Sequence, residues 1–370
     1  MGLRGLLTAA ALAALVPVLA LAQPRVTPIA DAPALTALPA LAGGRVVAGP
    51  DGWTYQWPSA RFEAAFAGEA VLFKVGAGDQ ILHLSVDGAP VGRLVKPAPG
   101  LYRIEGLANG RHLVRASVLN EMQAAPASFG GFFLAGGQPP SQPLPLAAPR
   151  RQIEFIGDSH SVGYGDASET RACPGDGVWM TTDNSIAFGP LTAQRFGADR
   201  QVNAISGRGI VRNFDGMAGD TLPLAWPKAL LGAAPDYRND DWRPQVVVIN
   251  LGTNDFSTPL KPGERWADRQ ALRDDYVATY ARFAQTIRAR QPQAFLVLLA
   301  PPSAENEIAV QVDRVAETLK AQGEARLAVI PVGEMELTAC DWHPSARDQQ
   351  GISARLSGFL DQHPEIWQGR

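Results

Sequence analysis

The chain has 370 residues, 46% of them hydrophobic and 19% charged, with 33 Lys and Arg against 36 Asp and Glu. At roughly 100–200 residues per domain this is two domains, or one with a large appendage, each able to bury a core without a disulfide scaffold. The balanced charge offers no basic face for a nucleic-acid partner, and two cysteines, Cys173 and Cys340, are too few for a cysteine-rich zinc site.

The first element is a leader. Met1 to Arg4 is short and basic, Leu6 to Leu21 is almost uninterruptedly apolar, and Ala20-Leu21-Ala22 closes the run before Gln23-Pro24. That is the pattern of a cleavable secretory signal over residues 1–22; the run is short for a membrane span and contains Pro17. With no cysteine behind it to carry a lipid, no stable membrane anchor is expected, and the chain is expected to be secreted or periplasmic. In an oxidising compartment Cys173 and Cys340 become a candidate pair, with two unpaired thiols as the alternative.

Residues 23–135 are expected to form a β-sandwich of jelly-roll type. Predicted strands are Trp53 to Trp57, Ala60 to Phe66, Ala70 to Val75, Ile81 to Val86, Leu101 to Glu105 and His112 to Val118. The last alternates His112, Val114, Ala116 and Val118 with Arg111, Leu113, Arg115 and Ser117. Asp51-Gly52, Asp87-Gly88, Pro99-Gly100 and Asn109-Gly110 fall between strands at hairpin intervals. Residues 136–149 hold Pro139, Pro140, Pro143, Pro145 and Pro149, the composition of a stiff, extended connector.

From residue 150 to 370 the pattern changes. Ile153 to Ile156, Val202 to Ile205, Val246 to Leu251, Phe295 to Leu299 and Leu327 to Pro331 are continuous apolar runs, as suits strands buried on both faces of a parallel sheet. Between them Leu272, Tyr276, Tyr280, Phe283 and Ile287 share one helical face, and so do Ile308, Val312, Val315 and Leu319. The alternation predicts a doubly wound α/β domain, which binds ligands at the carboxyl ends of its strands. Polar blocks fall at those ends: Gly157-Asp158-Ser159-His160, Ser206-Gly207-Arg208-Gly209, Gly252-Thr253-Asn254-Asp255, and Cys340-Asp341-Trp342-His343-Pro344 before a last helix.

These blocks resemble the SGNH (GDSL-type) hydrolase superfamily, whose marker residues match Ser159, Gly207, Asn254 and His343 in order. The preceding β-sandwich, the segment Thr182-Asp183-Asn184-Ser185-Ile186-Ala187-Phe188-Gly189-Pro190-Leu191 and the Asp-Trp-His-Pro-Ser ending look like carbohydrate esterase family 2. The resemblance implies a three-layer, flavodoxin-like catalytic domain and an acetyl esterase acting on plant-wall polysaccharides such as xylan, with no cofactor. Its partner is then an acetylated polysaccharide or oligosaccharide. Alternatives are a lipase or lysophospholipase on acyl chains, and an O-acetylesterase on peptidoglycan. A glycan-binding module with a vestigial hydrolase is opposed by the intact set of four.

Ester chemistry assigns each position a role. Ser159 needs the neighbouring imidazole of His343 to take its proton, and His343 then returns it to the leaving oxygen. The backbone N–H groups of Ser159 and Gly207 and the Asn254 amide are expected to hold the oxyanion. The superfamily's acid commonly lies three residues before the histidine, where this chain has Cys340; Asp341 is only two before His343. Asp341 is expected to orient the ring all the same, the alternative being a backbone carbonyl in a Ser–His dyad. Asp158 is expected to fix the turn carrying Ser159. Trp342 and Tyr164 are candidate sugar-stacking rings. The stretch from Asp166 to Thr182 shows no helical or strand pattern, and a Cys173–Cys340 disulfide would tie it over the site. His160 is read as structural or substrate-facing, and His83, His112 and His363 as packing or surface residues. Asp183 and Asp255 lack the histidine spacing of a metal site, so none is expected.

Overall fold

The computed structural model describes residues 23–31, 33–136, 151–232 and 235–368; the leader over 1–22 and the connector prolines lie outside the described residues. The N-terminal domain contains β1 (Arg25–Ile29), β2 (Leu35–Ala37), β3 (Ala40–Gly43), β4 (Val47–Gly49), β5 (Gly52–Tyr55) and β6 (Arg61–Ala67). It continues with β7 (Ala70–Val75), β8 (Ile81–Val86), β9 (Ala89–Val95), β10 (Gly100–Glu105), β11 (Arg111–Val118) and β12 (Ala127–Ala135). They pair into two antiparallel sheets, β1-β10-β7-β12-β5-β4 with β2 on β12, and β3-β6-β11-β8-β9. The alternation along β11 turns Val114, Ala116 and Val118 inward, and Phe62 of one sheet stacks on Phe129 of the other with ring centroids 4.5 Å apart.

The strands absent from the sequence reading are informative. β1 to β4 and β9 are largely solvent-facing edge or near-edge strands, rich in Ala, Gly and Pro, so they have no apolar alternation to detect. β12 is central, but its Gly130-Gly131 pair reads as a turn; here the pairing with β7 shifts register between Phe129 and Gly131, a bulge that the glycines permit.

The C-terminal domain is the expected doubly wound sheet. β13 (Arg151–Gly157), β14 (Ala198–Ala204), β15 (Val246–Asn250), β16 (Phe295–Ala300) and β17 (Leu327–Pro331) are parallel, in the order β14-β13-β15-β16-β17. That is the flavodoxin-like 2-1-3-4-5 arrangement. The helices are α1 (Ser159–Val162), α2 (Gly177–Thr181), α3 (Phe188–Arg195), α4 (Leu222–Ala225), α5 (Thr253–Phe256), α6 (Arg269–Arg290), α7 (Glu307–Ala321) and α8 (Ala346–Gln362). The apolar faces of α6 and α7 cover one side of the sheet, and α3 and α8 cover the other through Phe188, Ile352 and Leu356.

The two domains are bonded to each other throughout. Trp57 of the sandwich lies in the same apolar cluster as Trp226 and Phe283, and its indole N–H donates to the Ala229 carbonyl at 3.1 Å. Arg45 is buried between the rings of Trp57, Trp226 and Tyr237 and pairs with Glu154 at 3.5 Å. Gln56 accepts from Leu231 N–H at 2.9 Å, and the Leu119 carbonyl accepts from Asn184 N–H at 2.8 Å.

Candidate active site

Ser159 opens α1 directly after β13, and its turn is held from beneath by Asp158. One Asp158 oxygen accepts from the His160 N–H at 3.0 Å; the other accepts from the Thr253 hydroxyl and lies 3.3 Å from the Asn254 amide nitrogen. Asp158 thus joins the nucleophile turn to the Asn254 loop, beyond the local role expected of it. Asp255, next in chain, accepts from the N–H groups of Ile210, Val211 and Arg212 at 3.0, 2.8 and 3.0 Å, and so fastens the loop that carries Gly207. Burial pushes both carboxyls up to about 6 against the hydrogen bonds that lower them. Gly207 has φ +81°, a left-handed conformation that explains glycine there independently of substrate access.

His343 sits across from Ser159, with Nε2 3.0 Å from Ser159 Oγ. Its Nδ1 faces two backbone carbonyls, Cys340 at 2.9 Å and Asp341 at 3.1 Å. The bond expected from the Asp341 carboxylate is not made, and that expectation is corrected. Asp341 is in the left-handed region at φ 51°, which turns its carboxylate away to accept from the Tyr164 hydroxyl at 3.0 Å. A carbonyl can only accept, so Nδ1 carries the proton and Nε2 is left free to accept from the Ser159 hydroxyl.

The histidine loop is braced on every side. Cys173 and Cys340 are disulfide-bonded with their Cα atoms 5.5 Å apart, tying the 166–182 stretch to it. That stretch includes α2, which the sequence reading left without helix. Arg171 N–H groups donate to the carbonyls of Leu337 at 2.8 Å and Glu336 at 3.1 Å, and its own carbonyl accepts from Asp341 N–H at 2.9 Å. The Cys340 side chain packs where a Gly165 Cβ would lie, 2.5 Å from its own Cβ, so residue 165 has no room for a side chain. Behind His343, Ser345 and Asp348 form a capping box that starts α8.

The candidate sugar-facing rings differ. The Trp342 indole is 63% exposed and carries the Arg171 guanidinium 3.5 Å from its centroid. Tyr164 packs its ring 4.2 Å from that of His343. A cleft of about 490 Å³ opens beside Tyr164, walled by Trp179 and, from the sandwich, by Asn120, Glu121 and Gln123. These sandwich residues and Arg171 were missed by the sequence reading, since nothing local marks a side chain that serves a distant loop. A second cavity, about 690 Å³ around Arg45, Trp226 and Tyr237, lies at the opposite ends of the strands. His160 is buried 5.7 Å from the His343 ring, His112 pairs with Asp87 at 2.7 Å, and His363 pairs with Glu365 at 2.9 Å. Asp183 caps Ser185 N–H at 2.9 Å. Among the described residues no group of three or more His, Cys, Asp or Glu side chains is placed to hold a metal ion, and no helix is long and apolar enough to cross a membrane.

Burial, with the nearby His160 ring second, lowers the His343 pKa to about 4, outweighing the carbonyls and Asp158 that raise it. For His343 to act as a base it must be unprotonated, so activity is expected to fall as pH falls through about 4 instead of through the ordinary histidine value of about 6.5. The acid limb of kcat/KM, followed by acetate release, is expected there; a limb near 6.5 would show that the ring is solvated.

Comparison with known proteins finds two family models along the chain. Residues 42–143 match the family model "Carbohydrate esterase 2 N-terminal", and residues 155–363 match "GDSL-like Lipase/Acylhydrolase family". An acetylxylan esterase / glucomannan deacetylase of Cellvibrio japonicus (strain Ueda107) is 41% identical over 336 residues, 89% of this chain and 92% of that protein. The cellulase/esterase CelE of Acetivibrio thermocellus is 27% identical over 84% of this chain and 38% of its own length. A solved carbohydrate esterase whose active site displays divergent catalytic and non-catalytic binding functions superposes with a TM-score of 0.83 at 39% identity, over 90% of this chain and all (100%) of the other.

Proposed function

The chain belongs to carbohydrate esterase family 2 and is a carboxylic ester hydrolase, and from that premise we propose that it deacetylates a plant-wall polysaccharide through a Ser159–His343 dyad, without a cofactor. The observation that carries the reading is the 3.0 Å contact between Ser159 Oγ and His343 Nε2, on the rim where Gly207 and Asn254 also meet. Ser159 Oγ attacks the acetyl carbonyl carbon as its proton passes to Nε2. The oxyanion is held by the N–H groups of Ser159 and Gly207 and by Asn254. The Asn254 amide keeps its 2.9 Å bond to the Arg208 carbonyl; its second hydrogen, in only a long 3.3 Å contact with Asp158, is the one given to the oxyanion. His343 then protonates the departing sugar oxygen, and water repeats the sequence on the acetyl-serine.

The substrate class is supported by the similar acetylxylan esterase / glucomannan deacetylase and by the cleft at Tyr164, walled in part by Trp179, where a sugar ring can lie. Action outside the cytoplasm is supported by the leader and by the disulfide, which persists in oxidising compartments. Acetate release from acetylated xylan, glucomannan, pectin and peptidoglycan, alongside p-nitrophenyl acetate against octanoate, tests the reading. Release from xylan or glucomannan and a preference for acetate are expected. Activity that rises with acyl length, or that is confined to peptidoglycan, would reject it.

A dyad makes a sharp demand of Asp341. Asp341→Asn removes the charge but keeps a residue that tolerates the left-handed backbone. Its kcat is expected within about threefold of the parent, whereas a true triad acid changed to Asn costs about 10⁴ in kcat. A loss of that size would return Asp341 to the mechanism.

A further inference from the structure

Between β11 and β12 the sandwich sends a loop across to the catalytic rim. The loop is pinned at its base: Asn120 accepts from Ile81 N–H at 2.7 Å and donates to the carbonyls of Asp79 and Glu121 at 3.0 and 2.8 Å. Met122 and Gln56 exchange two further bonds, from Met122 N–H at 3.0 Å and from the Gln56 amide at 2.9 Å. From this base Glu121 accepts from the N–H of Ser206 at 2.9 Å, and the Gln123 amide donates to the carbonyl of Ser206 at 3.1 Å. The same Gln123 nitrogen donates to the Glu121 carboxylate at 3.1 Å, so the pair grips Ser206 as a unit.

Ser206 immediately precedes Gly207, and the Ser206 carbonyl and the Gly207 N–H belong to one planar, trans peptide. Fixing the oxygen therefore fixes the direction in which that N–H points. A carbonyl that accepts a hydrogen bond also polarises its own amide, which strengthens the N–H as a donor. The geometry points to Glu121 and Gln123 as a positioning clamp by which the sandwich domain aims the Gly207 N–H at the acetyl oxyanion. The inference rests on the reading of Gly207 as an oxyanion donor. It gives the N-terminal domain a part in the rate of the reaction.

The test uses the full chain with Gln123→Met, which keeps the volume and removes the donor, Glu121→Ala, and the double variant. Each is expected to lower kcat on p-nitrophenyl acetate by about tenfold, short of the 10²–10³ that follows complete loss of an oxyanion donor. KM is expected to stay within about twofold. The inhibition constant of phenylboronic acid, which forms a tetrahedral adduct on serine, rises by the same factor as kcat falls. The double variant loses about as much as either single one, because both residues grip one residue's peptide groups. A kcat within twofold of the parent for Gln123→Met, or a loss carried by KM with boronic acid binding unchanged, overturns the clamp. Asn254→Ala, measured alongside, separates the two failures. If it costs a hundredfold or more while the clamp variants are silent, the clamp alone is wrong; if it too is silent, the oxyanion reading falls with it.

Discussion

Ser159→Ala is expected to lower kcat for acetate release by about 10⁶, the loss that follows removal of the nucleophile in other serine hydrolases. Ser159 is 6% exposed with its Oγ 3.0 Å from His343 Nε2, so the variant removes the hydroxyl bonded to that nitrogen. The oxyanion donors and the cleft at Tyr164 remain, and oligosaccharide binding is expected unchanged. What activity is left comes from those donors acting on attack by water, which keeps residual catalysis about 10³–10⁴ above the uncatalysed reaction. His343→Ala should match this loss, and the double variant should add little, since nucleophile and base act in one step. Rates from intact chains with ligand titration by calorimetry decide it; a Ser159→Ala enzyme with a tenth of the parent rate would remove Ser159 from the chemistry.

Asn254→Ala is the second large effect, a fall in kcat of about 10²–10³, or ~3–4 kcal/mol of transition-state stabilisation. The residue is 6% exposed, and its amide bonds the Arg208 carbonyl at 2.9 Å and lies 3.3 Å from Asp158; the variant removes both. Alanine thus removes a donor to the oxyanion and leaves the Arg208 carbonyl without a partner. The first effect falls on kcat alone and the second on stability, so the thermal midpoint must be followed with the rate. Asp158 loses its long contact with Asn254 but keeps its bond to the His160 N–H, and Asp255 keeps its bonds to the Gly207 loop, which confines the change. A kcat within about fivefold of the parent would show that backbone N–H groups alone carry the oxyanion.

The candidate rim is legible in the sequence for a physical reason. Ser159, Gly207, Asn254 and His343 each follow a buried apolar strand, and a parallel sheet has only one edge at which strand ends and following turns converge. The five runs became β13 to β17 with bounds within a few residues, because burial on both faces leaves a continuous signal. What orients His343 was not legible. Spacing points to Asp341, two residues before the ring, but the left-handed backbone at Asp341 and Trp342 directs carbonyls at the ring, and carbonyls have no sequence signature. Glu121 and Gln123 were invisible for a related reason: their partner Ser206 is 85 and 83 residues away, in another domain. The exposed edge strands of the sandwich escaped because nothing apolar marks them.

The boundary between the domains has a bearing on how such a chain can evolve. With Trp57 inside the hydrolase core and Arg45 enclosed by rings from both sides, the sandwich lacks a finished surface of its own facing its neighbour. Recombination that joined this hydrolase to an unrelated sandwich would expose Trp226 and leave Glu154 without its guanidinium partner. The two domains therefore form one packing unit, and exchange at the seam carries the cost of an exposed indole and an unpaired buried carboxylate.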